Sequence, residues 1–535
     1  MLNLVTSLGG QLLTTVLKFV TRTVFIYTLG KSYLGINGLF ADILTMLSLT
    51  ELGIDTAINF KLYKPLAEND EKRVRVLMKF YKQAYRVVGG AILIIGLSLI
   101  PLLPFLIKDY DTLEPLGINA TLIFILYLLQ SVSSYLFFAY RSAVMKANQK
   151  KYILDVADYA VTILTNIAQV LVLLILHDFI IYTAIVIFFN IFKNLVNAVI
   201  SQKYYPQFLK KEKESLSKEE IFGLFKDCGA LFAYKVNVVV IKATDNLVIS
   251  TFLGLTWVGL YSNYLLFHTT LRLFLRRLYE AVKASMGNLF ATKDVAVTYR
   301  FFEVMNYLTA VLYGTAGVGV AVCANELITV WIGEEYLIKP PFSIIMGAEL
   351  VFLGLANNLG QIRSVSGVFR QMWYRPVIGV VVNIVASVVL VQFIGIYGVI
   401  LGTIISQLFS NFLVDPSLIM KYSFNGYKPV SAYYKKNLLY LLVLSVITAV
   451  DIFICNHVFT GHGWFSAIVH IIFVGVSVPV VMVGLYWRSH ECKYLVALSI
   501  RTLKKILKKA GVLKSAGPAE IPETENEEDK DEDKS

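Results

Sequence analysis

Leu29-Gly30-Lys31-Ser32-Tyr33-Leu34-Gly35-Ile36 and Leu253-Gly254-Leu255-Thr256-Trp257-Val258-Gly259-Leu260 repeat one pattern, a Leu-Gly pair followed five residues on by a second glycine, at a spacing of 224 residues. Both copies sit between hydrophobic spans. The 535 residues are 56% hydrophobic and only 16% charged, with a mean hydropathy of +0.65, against about 25% charged in soluble domains. The pattern therefore reads as a duplicated, polytopic membrane protein. At the same offset Lys18 falls on Lys242. Each half thus carries a lysine at one depth of its first span, where lipid alone would penalise it by about 3 kcal/mol.

Charge-free runs long enough to cross hydrocarbon occur at Val87 to Ile107, Pro115 to Tyr140, Val304 to Asn325 and Gly463 to Trp487, since about 20 residues suffice. The run Pro376 to Val414 holds two spans turning at Gly395-Ile396-Tyr397-Gly398. With the charge-interrupted spans, the expectation is an all-α bundle of about fourteen transmembrane helices, an even number that puts both termini on one side. Alternate loops carry twenty-seven lysines and arginines, and the intervening loops carry three, Lys31, Lys108 and Lys339. Cationic loops resist translocation, so the basic loops and both termini are expected in the cytoplasm, with no cleavable signal ahead of the first span.

The repeat continues beyond the opening motif. Arg141-Ser142, a basic loop and Asn166-Ile167 recur as Arg363-Ser364, a basic loop and Asn383-Ile384, at offsets of 222 and 217. Six spans per repeat preserve orientation, so the halves form a parallel pseudo-two-fold repeat about an axis along the membrane normal, with binding expected between them. The expected units are a six-helix lobe at 1–202, a cytoplasmic linker at 203–220, a second six-helix lobe at 221–420, and two further helices at 421–487. An amphipathic surface helix at 488–515 and a disordered acidic tail at 516–535 complete the chain.

In the surface helix, apolar residues at 495, 498, 503, 506, 507, 510 and 513 alternate with Arg501, Lys504, Lys505, Lys508 and Lys509, a pattern for lying in the plane of anionic lipid. The tail carries nine acidic residues against two lysines, which reads as disorder. The remaining positive charge lies in membrane-flanking loops too short to fold a nucleic-acid-binding domain, so no nucleic-acid partner is expected. Cys228, Cys323, Cys455 and Cys492 lack CxxC spacing and read as structural rather than as a disulfide framework or zinc site. His457 and His462 have no companion ligands, so no metal and no cofactor is expected. Neither a P-loop, GxSxG nor HExxH occurs, and the short outer loops leave no room for a catalytic domain, so the chain reads as a non-enzyme.

The charges inside spans supply the candidate site. Lys18 and Arg22 are four residues apart on one face of the first span, either lining a cavity or pairing with a buried carboxylate. The seventh span carries Lys235, Lys242 and Asp245, where an internal Lys242 to Asp245 pair is the alternative to cavity lining. The eighth carries Arg272 and Arg276 on one face, with Arg277 beside them as a cavity residue or interface anchor. Lys18, Arg22, Lys242, Arg272 and Arg276 facing lipid would together cost about 15 kcal/mol, more than a fold's typical margin, and a wet cationic cavity removes that cost. Among the carboxylates, Glu51, Asp55 and Asp245 are coupling or gating candidates, with Asp55 placed at the cytoplasmic mouth and Glu51 open between ion exchange and structural pairing. Glu349 and Asp451 are further carboxylates within spans, and His268 reads as a packed imidazole ahead of a proton relay.

The stretch Ser7 to Glu68 resembles bacterial polysaccharide-biosynthesis membrane proteins, which are oligosaccharide flippases. The similarity rests on Arg22-Thr23-Val24-Phe25-Ile26-Tyr27-Thr28-Leu29-Gly30, Tyr33-Leu34-Gly35-Ile36-Asn37-Gly38-Leu39-Phe40 and Glu51-Leu52-Gly53-Ile54. It continues at Leu62-Tyr63-Lys64-Pro65-Leu66-Ala67, Ala147-Asn148-Gln149-Lys150 and Arg363 to Pro376, over about residues 1 to 490. The superfamily also contains lipid II flippases and multidrug exporters. The resemblance implies twelve to fourteen helices in two lobes, alternating access, and an undecaprenyl-pyrophosphate-linked oligosaccharide carried from the inner to the outer leaflet of the bacterial cytoplasmic membrane for surface polysaccharide export. Membrane potential or a proton or sodium gradient would drive it. Membrane lipids, a polysaccharide polymerase and other export machinery are the expected partners. The family's charged cavity residues would correspond to Lys18, Arg22, Lys242 and the eighth-span arginines. Rival readings are a lipid II-type or drug exporter of the same superfamily, or a membrane-embedded polymerase or glycosyltransferase.

Overall fold

The computed structural model describes residues 2–48, 54–108, 110–368, 374–459, 461 and 463–509, with backbone alone at residues 2–8, 11–12, 54–57, 60, 116, 224–238, 242, 281, 284 and 502–509. The described residues are helices and turns, with no strand among them. Their order is α1 (Leu2–Leu47), α2 (Ile54–Ala67), α3 (Glu71–Leu99), α4 (Leu103–Leu106), α5 (Ala120–Leu136), α6 (Ser142–Ala147), α7 (Lys151–Ile175) and α8 (Phe179–Tyr204) in the first lobe. The second contains α9 (Lys218–Phe252), α10 (Leu255–Thr292), α11 (Val295–Ile332), α12 (Phe342–Ser366), α13 (Arg375–Ile394), α14 (Ile396–Gln407) and α15 (Asp415–Tyr422). α16 (Val430–His457), α17 (Trp464–Tyr486) and α18 (His490–Lys509) follow.

Nine helices among the described residues are long and apolar enough to cross a membrane, and Ala120–Leu136 with Ala139–Ala147, bent by 42°, makes a tenth. The remaining spans are the charge-bearing ones: the two limbs of α1, the second continued by α2, and the long α9 and α10. Together they make the bundle of about fourteen spans. The chain is a multi-pass membrane protein.

The turns follow local chemistry. α1 breaks at Gly30 (φ 80°, ψ −169°) and α10 starts after Gly254 (φ 99°, ψ 170°), a backbone region open essentially to glycine alone. The two Leu-Gly pairs of the repeated motif are therefore the same turn made twice. Ser217 and Glu220 form a reciprocal capping box, which starts α9 at Lys218, three residues before the expected boundary at 221. Between α14 and α15 the chain runs through a π-helical segment, Leu408–Val414.

The repeat is also visible as paired contacts. A Cβ placed on Gly35 would lie 2.1 Å from the Leu255 carbonyl oxygen, and one on Gly259 would lie 2.4 Å from that of Lys31. Adding 224 to Lys31 and Gly35 gives Leu255 and Gly259, so each contact is the other with the halves exchanged, as a two-fold axis requires. A second pair surrounds it: Tyr27 Oη donates to the Trp331 carbonyl (2.9 Å) while Thr251 Oγ1 donates to that of Leu106 (3.2 Å). The lobes meet along this seam at the end of the bundle bearing the glycine turns.

At the opposite, basic end the linker 205–217 is tied to the start of α3 by Lys72 to Glu214 (2.5 Å) and Arg75 to Glu212 (3.1 Å), and Arg73 to Glu220 (2.6 Å) ties the first turn of α9 to the same place. Hydrogen bonds from Arg75 and from the Lys213 backbone hold the Glu212 carboxyl below its ordinary range, and those from the Ser217 backbone and Arg73 do the same for Glu220. α16 and α17 pack on α11 through Tyr307, Cys323, Leu444, Val474 and Met482. α18 begins against them, Lys436 bridging Glu303 (3.1 Å) and Glu491. Cys323, Cys455 and Cys492 are buried free thiols. The acidic tail and the last turn expected of the surface helix, residues 510–535, lie outside the described residues.

Candidate functional site

α1 and α10 carry the first part of the site across the lobe boundary. Arg22 lies eight residues below the Gly30 turn and Asn263 nine below Gly254, which puts them at one depth, about 12 Å in. The Arg22 guanidinium donates to Ser262 Oγ (2.6 Å) and twice to Asn263 Oδ1 (2.8 and 3.3 Å). The repeat places Asn246 where Arg22 stands, and Asn246 also crosses, donating to Asp42 Oδ2 at 2.6 Å. Lys18, one turn toward the basic end, is exposed. The side chains of Lys242, Lys235 and Asp55, and all of Glu51, lie outside the described residues.

A cavity of about 470 Å³ runs through the second lobe between α9, α10, α12 and α14. Arg272 and Arg276 line it, joined by Lys283, Arg363 and Arg375. Carboxylates are present too: Asp245, Glu280 and Glu349. Glu280 takes Arg276 (2.9 Å) and Arg277 (3.6 Å). Of the sequence-derived cations, the structure brings Arg272 and Arg276 into this cavity, and sets Arg22 apart at the lobe interface.

Asp245 is buried at the cavity wall. It accepts from Thr403 Oγ1 (3.1 Å) and Tyr261 Oη (3.3 Å), and Thr403 in turn accepts from Asn383 Nδ2 (3.0 Å). The first lobe makes the simpler version, Thr21 Oγ1 donating to Asn166 Oδ1 at 2.8 Å, with Thr21 at the repeat position of Asp245. The carboxylate is thus an addition to a shared scaffold. Its hydroxyl and amide oxygens are hard donors of the kind a small cation takes. Deeper in, His268 Nε2 lies 2.5 Å from Glu349 Oε2, whose other oxygen accepts from Gln407 Nε2 at 2.5 Å, so the packed imidazole has a charged partner.

Sequence reasoning passed over Arg363, Arg375 and Asp415 as a group. Arg363 Nη1 lies 2.9 Å and Arg375 Nε 2.7 Å from the two oxygens of Asp415, at the basic end of the cavity. The recurrence of Arg141-Ser142 as Arg363-Ser364 marked one member, but the triad exists only after three separate spans pack.

No family model and no curated protein matches the sequence. Solved structures do. A multidrug resistance MATE family transporter of the MOP superfamily, in an inward-facing conformation, superposes with a TM-score of 0.60 at 12% identity, covering 79% of this chain and 96% of its own. The lipid II flippase MurJ, in an inward closed conformation, gives 0.56 at 14% identity, covering 91% and 99%. These likenesses establish the fold alone: a polytopic helical bundle shared with both structures.

Proposed function

We propose that the chain is a flippase moving a polyprenyl-pyrophosphate-linked oligosaccharide across the bacterial cytoplasmic membrane by alternating access, with both termini cytoplasmic. The observation that carries the reading is the set of cations spaced along α10, Arg22 held against it at the lobe interface and Arg272 and Arg276 farther along it toward the basic end, in the second-lobe cavity. Such charges are tolerable within a membrane where they meet an anion or water, and guanidinium forks suit phosphate. Lys18 and Lys242 belong to the same set.

In this reading the pyrophosphate pairs with the cations while the polyprenyl tail stays in lipid and the sugars occupy the wet cavity. The lobe seam at the glycine turns is the closed side, so loading occurs from the basic end. With the cytoplasm negative, outward movement of each negative charge gains about 2.3 kcal/mol per 100 mV. Asp245 is the candidate for a coupling proton or sodium ion, with Glu51 and Asp55 as the other candidates. The fold shared with the lipid II flippase supports a lipid-linked cargo. An export role feeding a polysaccharide polymerase follows from the same cargo. The drug-exporter alternative draws on Asp245 and Glu349, which would seat a cation.

The deciding experiment is translocation of a fluorescent undecaprenyl-pyrophosphate oligosaccharide in proteoliposomes under an imposed potential. Lys18→Gln with Arg22→Gln is expected to abolish flipping at unchanged protein abundance. Wild-type flipping in that variant rejects the cationic site, and cationic-dye transport blocked by Asp245→Asn supports the drug exporter instead.

A further inference from the structure

The turn between α15 and α16 builds a cavity that the proposed transport path does not use. The two spans it joins end at Tyr422 and resume at Val430, so residues 423–429 lie where hydrocarbon gives way to headgroups. A cavity of about 540 Å³ opens there, and its lining includes Lys421, Asn425, Lys428 and Val430; the volume is that of an ordinary small-molecule site. The turn is held from beneath. Phe424 is fully buried against Phe290, Tyr299 and Phe302. The Gly426 N–H donates to the Met420 carbonyl (2.8 Å), and Ser423 Oγ shares a hydrogen bond with Ser366 Oγ (2.8 Å). The cavity is therefore preformed, and binding there has little backbone to order.

Lys421 and Lys428 are the charged side chains among the described lining residues, and both are exposed. Each ammonium lies over an aromatic face, Lys421 over Tyr422 (5.3 Å) and Lys428 over Tyr299 (6.0 Å), and neither forms an ion pair among the described residues. The nearby carboxylates are engaged elsewhere: Glu303 and Glu491 take Lys436, and Asp415 takes Arg363 and Arg375. From 416 to 450 the sequence holds four lysines and no acidic residue. The first lobe offers a contrast. At an offset of 218, Lys203-Tyr204 and Lys210 recur as Lys421-Tyr422 and Lys428, but there Glu212 and Glu214 follow within four residues and fold the chain back onto α3. Toward the hydrocarbon, the cavity continues as an apolar track. Val430, Tyr434 and Leu438 fall on one stripe of α16, Tyr434 Oη donates to the Leu413 carbonyl (3.1 Å), and Phe409, Leu413 and Leu438 are exposed. Tyr422 and Tyr427 are exposed beside the lysines, as aromatic residues are at the membrane interface.

We infer that this cavity binds the headgroup of an anionic phospholipid of the surrounding bilayer. Lys421 and Lys428 pair with its phosphate, the Asn425 amide meets the headgroup hydroxyls, and the acyl chains follow Leu413 and Leu438. Basic pockets between spans on the cytoplasmic side suit such headgroups, and the basic end is the one expected in the cytoplasm. Two features favour a bilayer lipid over a soluble phosphate: the cavity opens at headgroup depth, and its apolar track leads into hydrocarbon. A lipid seated there bridges α15 of the second lobe and α16 of the added helices. The site is independent of the cargo and of the cavity at Asp245.

The test is native mass spectrometry of the full-length protein in neutral detergent, titrated with dioleoyl phosphatidylglycerol or dioleoyl phosphatidylcholine. Wild type is expected to bind its first phosphatidylglycerol about thirtyfold more tightly than phosphatidylcholine, the scale of two basic side chains at an anionic surface. Lys421→Gln with Lys428→Gln should bring the two lipids level, and each single substitution should remove about fivefold of the preference. Lys203→Gln with Lys210→Gln, at the repeat positions, should keep it. Melting temperature without added anionic lipid should be unchanged in every variant, since none of the lysines at the cavity holds a carboxylate. Equal binding of the two lipids by wild type, an undiminished preference in the folded Lys421 and Lys428 variants, or an equal loss in the Lys203 and Lys210 variant overturns the site. Displacement of bound phosphatidylglycerol by glycerol phosphate overturns the lipid as its occupant in favour of a soluble phosphate. Flipping is not the readout, so failure here is distinct from failure of the flippase reading.

Discussion

Asp245 separates the two halves most sharply at the residue scale. The repeat puts Thr21 in its place, and both hydroxyl and carboxylate join a polar group on the fifth span of their own lobe, directly to Asn166 or through Thr403 to Asn383. At this position only the second lobe gains a carboxylate. Asp245→Asn keeps the shape and one acceptor oxygen for Thr403, with its amide nitrogen donating to the Tyr261 hydroxyl oxygen in place of the second, so the fold should persist. Flipping driven by potential alone should remain, and the response to an imposed proton or sodium gradient should fall at least tenfold. Gradient-resolved flipping in proteoliposomes measures both, and an intact gradient response would move coupling to Glu51 or Asp55. Asp245 and the span arginines were legible in the sequence because a charge within an apolar run stands out in one dimension. Arg22's partners were not, since Ser262 and Asn263 are neutral and lie some 240 residues away. The Asp415 cluster was hidden for the same reason.

Two elements invite tests of their own. The repeated motif works as a seam because its second glycine brings backbone against backbone. At Gly35 and Gly259 a Cβ would lie 2.1 and 2.4 Å from a carbonyl oxygen, closer than side chains allow. Gly259→Leu should therefore hold the lobes apart at that end while leaving the Gly254 turn intact. Cysteine pairs flanking the seam, read by labelling in membrane vesicles, should become accessible and transport should stop; an inaccessible seam with normal transport would reject the gate. The linker makes the second case. Glu212 and Glu220 titrate below their ordinary value through Arg75, the Lys213 backbone, the Ser217 backbone and Arg73, so their contribution to holding 205–217 is complete above the unfolded carboxylate pKa of about 4.3. It is lost as pH falls through their lower folded values. Protease nicking of the linker should stay flat from pH 8 to about pH 5 and rise under stronger acid, whereas a rise already at pH 6 would mean that other groups hold it.

The whole molecule is two orientation-matched halves joined by a clamped linker, with α16 to α18 added to the second. The duplication and the approximate number of spans could be read from glycine spacing and from runs of apolar length, because both are local signals. The π-helical segment between α14 and α15 and the division of the cations between lobe interface and cavity depend on packing and were not readable, whereas the start of α9 at the Ser217 to Glu220 capping box is a local signal that was overlooked. If the lobes are self-sufficient, residues 1–204 and 218–535 expressed as separate chains should assemble and recover flipping to within about tenfold of the intact protein. Co-purification with restored flipping would show it, and failure of the pieces to associate would make the linker essential to assembly.

The seam at the glycine turns carries an implication about ancestry. A single six-span unit presents both surfaces of that contact, the glycine and the carbonyl that receives it, and so fits a second copy of itself without further invention. Because the contact is made by main chain, it places few demands on side-chain identity. After the two copies became one polypeptide, each could change its chemistry freely: Lys31 in one stands opposite Leu255 in the other, Arg22 opposite Asn246, Thr21 opposite Asp245. Symmetry of shape was kept, and asymmetry of charge accumulated on top of it.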